Sequence, residues 1–147
     1  TFYLREESQR PIIFLASGTG FAPINAMVEA LIAKGIDRKI RFYWGGRRPQ
    51  DLYVSSQVQQ WAQHFSDFEY IPVVSDALPE DHWEGRTGFV HHAVMEDHPD
   101  LSGWDVYACG NPHMVEGARR DFIHQCQLDD TAYFSDAFTS EADKVGG

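Results

Sequence analysis

With 147 residues, 43% of them apolar, the chain is long enough to bury one core and too apolar to be disordered. Its formal net charge of -10, from 12 Lys and Arg against 22 Asp and Glu, counts against nucleic acid or an anionic membrane as a partner. Two cysteines, Cys109 and Cys126, are too few for a disulfide scaffold or a four-thiolate iron–sulfur cluster, and no apolar run approaches the roughly 20 residues of a spanning helix.

The chain opens "TFYLREESQRP", with neither an initiator Met nor a signal-like apolar segment, and reads as a piece cut from a longer protein. Ile12 to Ala16 is continuously apolar between Pro11 and Gly18 and is expected as a buried strand. Ile24, Met27, Val28, Leu31 and Ile32 then repeat with helical spacing. Pro23 suits the first turn of that helix, and Lys34-Gly35 its stop. "KIRFYWGG" is a second strand, closed by Gly45-Gly46. Leu52 to Phe65 carries a second helix with Val58, Trp61, Ala62 and Phe65 on one face. "FEYIPVVS" is a third strand, and Pro72 within it points to a place toward the sheet edge.

"DALPEDHWEGRTG" is rich in breakers and reads as a loop. A short helix is expected from Phe89 to Glu96, with Phe89, Val90, Ala93 and Val94 inward. "WDVYACGNP" is a fourth strand ending at Gly110. The following helix carries Met114, Ala118, Phe122 and Cys126 on one stripe. "TAYFSDAF" is the last strand, and residues 139–147 form a flexible tail. This alternation predicts an α/β fold: a doubly wound, mostly parallel five-stranded sheet with helices on both faces, a Rossmann-like nucleotide-binding domain over residues 1–138.

Ser-Gly-Thr-Gly at 17–20 falls where the first strand hands over to the first helix. Unpaired backbone N–H groups there favour a phosphate, and glycine lets it come close. Gly18, Gly45, Gly46 and Gly110 all fall at expected carboxyl ends of strands, where open α/β sheets hold their ligands. The loop is not a P-loop, because no Lys-Ser/Thr follows in place, and Pro23 departs from the usual G-x-G-x-x-G. A tight turn with glycines for packing alone explains the same residues.

In order along the chain, "LASGTGFAP", "FYWGGRRPQDLY", Trp83 to Gly88, "VYACGNPHMVEGAR" and "YFSDAF" resemble the ferredoxin–NADP reductase superfamily, in particular its bacterial flavin reductases and oxygenase reductase components. The resemblance implies an NAD(P)H-dependent flavin oxidoreductase module. It implies that the backbone at Gly18, Thr19 and Gly20, with Pro23 beside it, holds the pyrophosphate. Thr19 is also implied to reach the nicotinamide through its hydroxyl; a helix cap is its plainer role. The segment Gly45 to Asp51 is implied to hold the adenosine end. Arg47 and Arg48 suit a 2′-phosphate or an adenine face, so either NADH or NADPH is expected. A solvated surface charge is the plainer reading of Arg48.

Cys109 and Gly110 are implied to shape the floor under the nicotinamide and flavin rings, with Asn111 and Met114 continuing that stretch. A nucleophilic Cys109 is the rival, but a phosphatase-type C-x5-R needs Arg at 115, where Val115 stands. Phe138 is implied to approach the flavin, with edge packing as the alternative. No metal site is expected from the seven histidines: His91 and His92 are adjacent and so point apart on a helix, and the rest are scattered. Arg119-Arg120 reads as a solvated face or a docking pair.

The implied FAD or FMN belongs to a separate β-barrel domain of the same polypeptide, not present in this chain. Free flavin, ferredoxin or an oxygenase are the implied electron acceptors, and the free thiols fit a cytoplasmic setting. A non-catalytic nucleotide-sensing or protein-docking module is the alternative that the same fold allows.

Overall fold

The computed structural model of the chain describes residues 2–52 and 55–137, and for Thr19 and Ser55 the backbone only. Phe138 and the expected tail at 139–147 lie outside the described residues. Strands β1 (Ile12–Ser17), β2 (Ile40–Gly46), β3 (Phe68–Val74), β4 (Arg86–Thr87), β5 (Asp105–Gly110) and β6 (Tyr133–Ala137) form one sheet in the order β4-β3-β2-β1-β5-β6. Every neighbouring pair is parallel. Helices α1 (Phe21–Lys34), α2 (Ser55–Trp61), α3 (Val90–Asp97) and α4 (Pro112–Gln125) connect the strands. From β1 the chain winds outward through β2, β3 and β4, then returns to the other side of β1 for β5 and β6. That reversal leaves a crevice at the carboxyl ends of β1 and β5, the place where doubly wound sheets bind ligands.

The doubly wound parallel sheet matches the expectation, but it has six strands rather than five. The added strand, β4, lies inside the segment read as a loop. It spans two residues, too few for any periodicity to show. It pairs with β3 only at Val73 and Val74, so Pro72 sits where β3 is still the sheet edge. This is where a residue without an N–H costs least.

Alternate residues along each strand feed two cores. Phe14, Ala16, Phe42, Trp44, Tyr107 and Cys109 pack against α1 and α2; Ile13, Leu15, Tyr43, Val106 and Ala108 pack against α3 and α4. On the first face the Phe21 ring stacks on Trp61 at 5.3 Å and on Trp44 at 5.0 Å. The aromatic group thus clamps the first turn of α1 onto the sheet. Val58, Trp61 and Phe65 are buried as expected, although α2 gives way to a single 3-10 turn after Trp61. Phe89 is a correction: it precedes α3 as its cap residue, escapes the helical period and is 64% exposed. Among the described residues no helix is long and apolar enough to cross a membrane.

Candidate functional site

β1 ends in extended backbone at Ser17, and the chain then turns through Gly18 at φ +52° into α1. A Cβ on Gly18 would meet nothing within 4 Å, so the space over this peptide is open. The buried Trp44 indole N–H donates to the Gly18 carbonyl at 3.2 Å, which fixes the turn from below. α1 begins without an acidic residue in its first turn, so its positive end is not neutralised locally. Gly20 is a glycine for a different reason. A Cβ there would lie 2.2 Å from the Cys109 carbonyl oxygen, so Gly20 seats the turn directly on the end of β5. On the other side, the Asn111 N–H donates to Ser17 Oγ at 3.0 Å, and Gly110 packs against Ser17.

A cavity of about 800 Å³ opens over these strand ends. Of the expected residues, Gly18, Gly45, Arg47, Asp51, Asn111 and Met114 line it. The volume falls within the usual range for small-molecule sites. Its charged lining is Arg47, Arg120, Asp51 and Asp121, together with His91, His92 and His113. On a chain of net charge -10, this lining is locally balanced, two arginines against two aspartates, with three histidines beside them.

The two arginines separate. Arg48 makes a two-pronged ion pair with Asp81, at 2.8 Å and 2.7 Å, and that carboxylate is 3% exposed. The guanidinium, aided by the Leu78 backbone N–H, holds Asp81 well below the usual aspartate range. Arg48 therefore ties the loop after β2 to the loop after β3 and does not line the cavity. Arg47 does line it, is 78% exposed and has only a loose 3.5 Å contact with Asp76. The Asp51 carboxylate accepts the N–H groups of both Arg47 and Arg48 at 3.0 Å. Both bonds go to Oδ2, so the carboxylate shapes the loop through one oxygen while the residue lines the cavity.

A profile of the family described as "Oxidoreductase NAD-binding domain" matches residues 14–120, from within β1 to within α4. This chain belongs to that family. It is 49% identical over 140 residues to Protein RfbI of Salmonella typhimurium, covering 95% of this chain and 41% of that protein. It is also 49% identical to the CDP-6-deoxy-L-threo-D-glycero-4-hexulose-3-dehydrase reductase of Yersinia pestis, covering 94% of this chain and 40% of that one. The chain thus spans about two fifths of the length of these curated relatives. Among solved structures, the Amycolatopsis cytochrome P450 reductase GcoB superposes with a TM-score of 0.84 at 29% identity, over 95% of this chain and 42% of that one.

Within this NAD-binding domain Cys109 lies under the crevice, wholly buried, with its side chain in the core on the α1 side. Burial, reinforced by Asp136, pushes its thiol up to about 12. It stays protonated near neutral pH, and the nucleophile reading loses its footing. Asn111 caps α4, accepting the His113 N–H at 2.8 Å. Met114 departs from the buried stripe expected of it: it is half-buried, lines the cavity and leaves its core position to Val115. Pro23, Gly20, Arg48, Cys109 and Gly110 are not part of the lining. Phe138 lies outside the described residues, and for Thr19 only the backbone is given.

Sequence reading missed Phe89, His91, His92, His113, Arg120 and Asp121 in the lining. They come from the starts of α3 and α4 and from α4's second half, and only the sheet order brings these together. The expectation that His91 and His92 point apart is also corrected, since their ring centroids are 4.2 Å apart. His91 Nε2 lies 3.4 Å from Asp121 Oδ2, and burial, followed by neighbouring His92, lowers the His91 pKa below its ordinary value.

Proposed function

We propose that this chain is the nicotinamide-nucleotide half of a flavin-dependent reductase. In this reading residues 1–138 form the domain that binds NADH or NADPH and presents it to FAD or FMN on another domain of the same polypeptide. The two cofactors supply the hydride chemistry, and the chain supplies binding and orientation. The observation that carries the reading is the cavity over the open Gly18 peptide, at the positive end of α1 and at the reversal of sheet order. It fits a diphosphate, whose oxygens would accept backbone N–H groups.

In this reading Arg47 meets the adenosine end and a 2′-phosphate, which its exposure in the cavity lining supports. Asn111, His113 and Met114 form the facing wall. Thr19 is assigned to the nicotinamide side, and Cys109 to the floor as a neutral, soft packing group rather than as a nucleophile. The greater length of the relatives supports a flavin-bearing partner domain. The name of the Yersinia pestis relative supports another protein as electron acceptor, ahead of free flavin. Two buried free thiols support a cytoplasmic setting.

Calorimetric titration tests the reading. NADPH should bind saturably, and Arg47→Ala should weaken it about tenfold or more, the worth of a charge-assisted hydrogen bond. NADH should be weakened less. No saturation at millimolar nucleotide would overturn the assignment.

A further inference from the structure

We propose that His91, His92 and Asp121 form a binding site for a zinc-class divalent cation in the cavity wall, bridging α3 and α4. One ligand atom from each of the three lies within 4.8 Å of the other two. A tetrahedral ion about 2.0–2.1 Å from each donor needs donor separations of roughly 3.3–3.5 Å. His91 Nε2 and Asp121 Oδ2 already stand at 3.4 Å, and the exposed His92 ring has freedom to close the rest.

α4 carries Gly117 beside His91, so no Cβ crowds the imidazole there, although the Arg120 guanidinium reaches the same spot: a Cβ on Gly117 would lie 3.7 Å from Arg120 Nη2 and 3.9 Å from the His91 ring. Arg120 Nε holds Asp121 through Oδ1 at 3.2 Å, which leaves Oδ2 toward His91. His91 and His92 stand in the first turn of α3, whose positive end opposes a cation. Asp121 is therefore the necessary counter-charge. Two imidazoles and one carboxylate suit zinc, nickel or copper(II) and not magnesium or calcium. Three protein donors leave at least one position open, and all three residues line the cavity. The proposal stands on these two helices alone and does not depend on the nucleotide reading.

Titration of the tag-free protein with Zn2+ tests it. One equivalent should bind, unaffected by millimolar Mg2+. His92→Ala and Asp121→Asn should each weaken binding about tenfold or more. His64→Ala, in a groove between α1 and α2, should leave it unchanged. Co2+ in place of zinc should give visible d–d bands, and Asp121→Asn should shift the Co2+ concentration needed for them upward by about tenfold or more. His92 is exposed, so its variant keeps the fold, which matching metal-free circular dichroism verifies. The proposal is overturned by failure to bind one equivalent. Binding that survives both site variants, or that falls equally in His64→Ala, also overturns it.

Discussion

Gly18 and Gly20 bracket a single residue, yet the structure asks different things of them. Gly18 bends the chain through a left-handed φ under open space, and Gly20 lets α1 rest on the Cys109 carbonyl. Gly20→Ala forces a Cβ to 2.2 Å from that oxygen, against backbone that cannot yield. At least about 3 kcal/mol of stability should be lost. Gly18→Ala meets no atom and strains only the backbone, for about 1–2 kcal/mol. Urea unfolding should rank the two in that order. Nucleotide titration should find Gly18→Ala the weaker binder although it is the more stable variant, because its methyl enters the cavity. The motif was legible in the sequence as a glycine turn from strand to helix. Its division of labour was not, because it depends on a carbonyl at the end of β5. The cavity histidines were hidden for the same reason.

The loop after β2 is an element with two arginines and two fates. Arg47 faces the cavity, and Arg48 locks the loop to the 3-10 turn at Pro79–Asp81. Asp81 has a folded pKa below its unfolded value, so its contribution to stability is fully present above about pH 4. The contribution disappears as pH falls through the lowered folded value. Asp81→Asn should therefore lower stability at neutral pH and flatten the acid limb of the stability profile below about pH 4, as followed by thermal melts across pH. Arg48→Ala should do likewise, without the preferential loss of NADPH expected for Arg47→Ala. From the sequence both suited a phosphate or an adenine face, and the plainer reading of Arg48 was a solvated surface charge rather than a tie to a buried carboxylate. Asp81 is distant along the chain, in a segment whose breakers announced only a loop. The longer elements were legible because their apolar periods exceed one turn or one pleat. β4 is two residues long, and Phe89 stands outside its helix, so neither left a period to read.

At the scale of the whole molecule, the parallel sheet puts binding at its carboxyl end and fastening at its amino end. Asp105 opens β5 at the amino end, and Arg38 meets it at 2.9 Å, with side chains 6% and 3% exposed. Ser8 Oγ donates to the same carboxylate oxygen at 2.6 Å. Arg38 also donates to the carbonyls of Arg10 and Arg5, so one buried guanidinium ties the segment before β1 to the sheet. Removing one member leaves a buried, uncompensated charge, at a cost of about 3–5 kcal/mol. Arg38→Ala should lower Tm on the order of 10 °C. NADPH affinity, measured where the variant is fully folded, should not change, because no cavity residue takes part in this network. Arg38→Met combined with Asp105→Leu should recover much of the stability, since well-packed apolar groups often replace a buried ion pair without loss. A fall in NADPH affinity for Arg38→Ala comparable to that of Arg47→Ala would show that the two ends of the sheet are coupled.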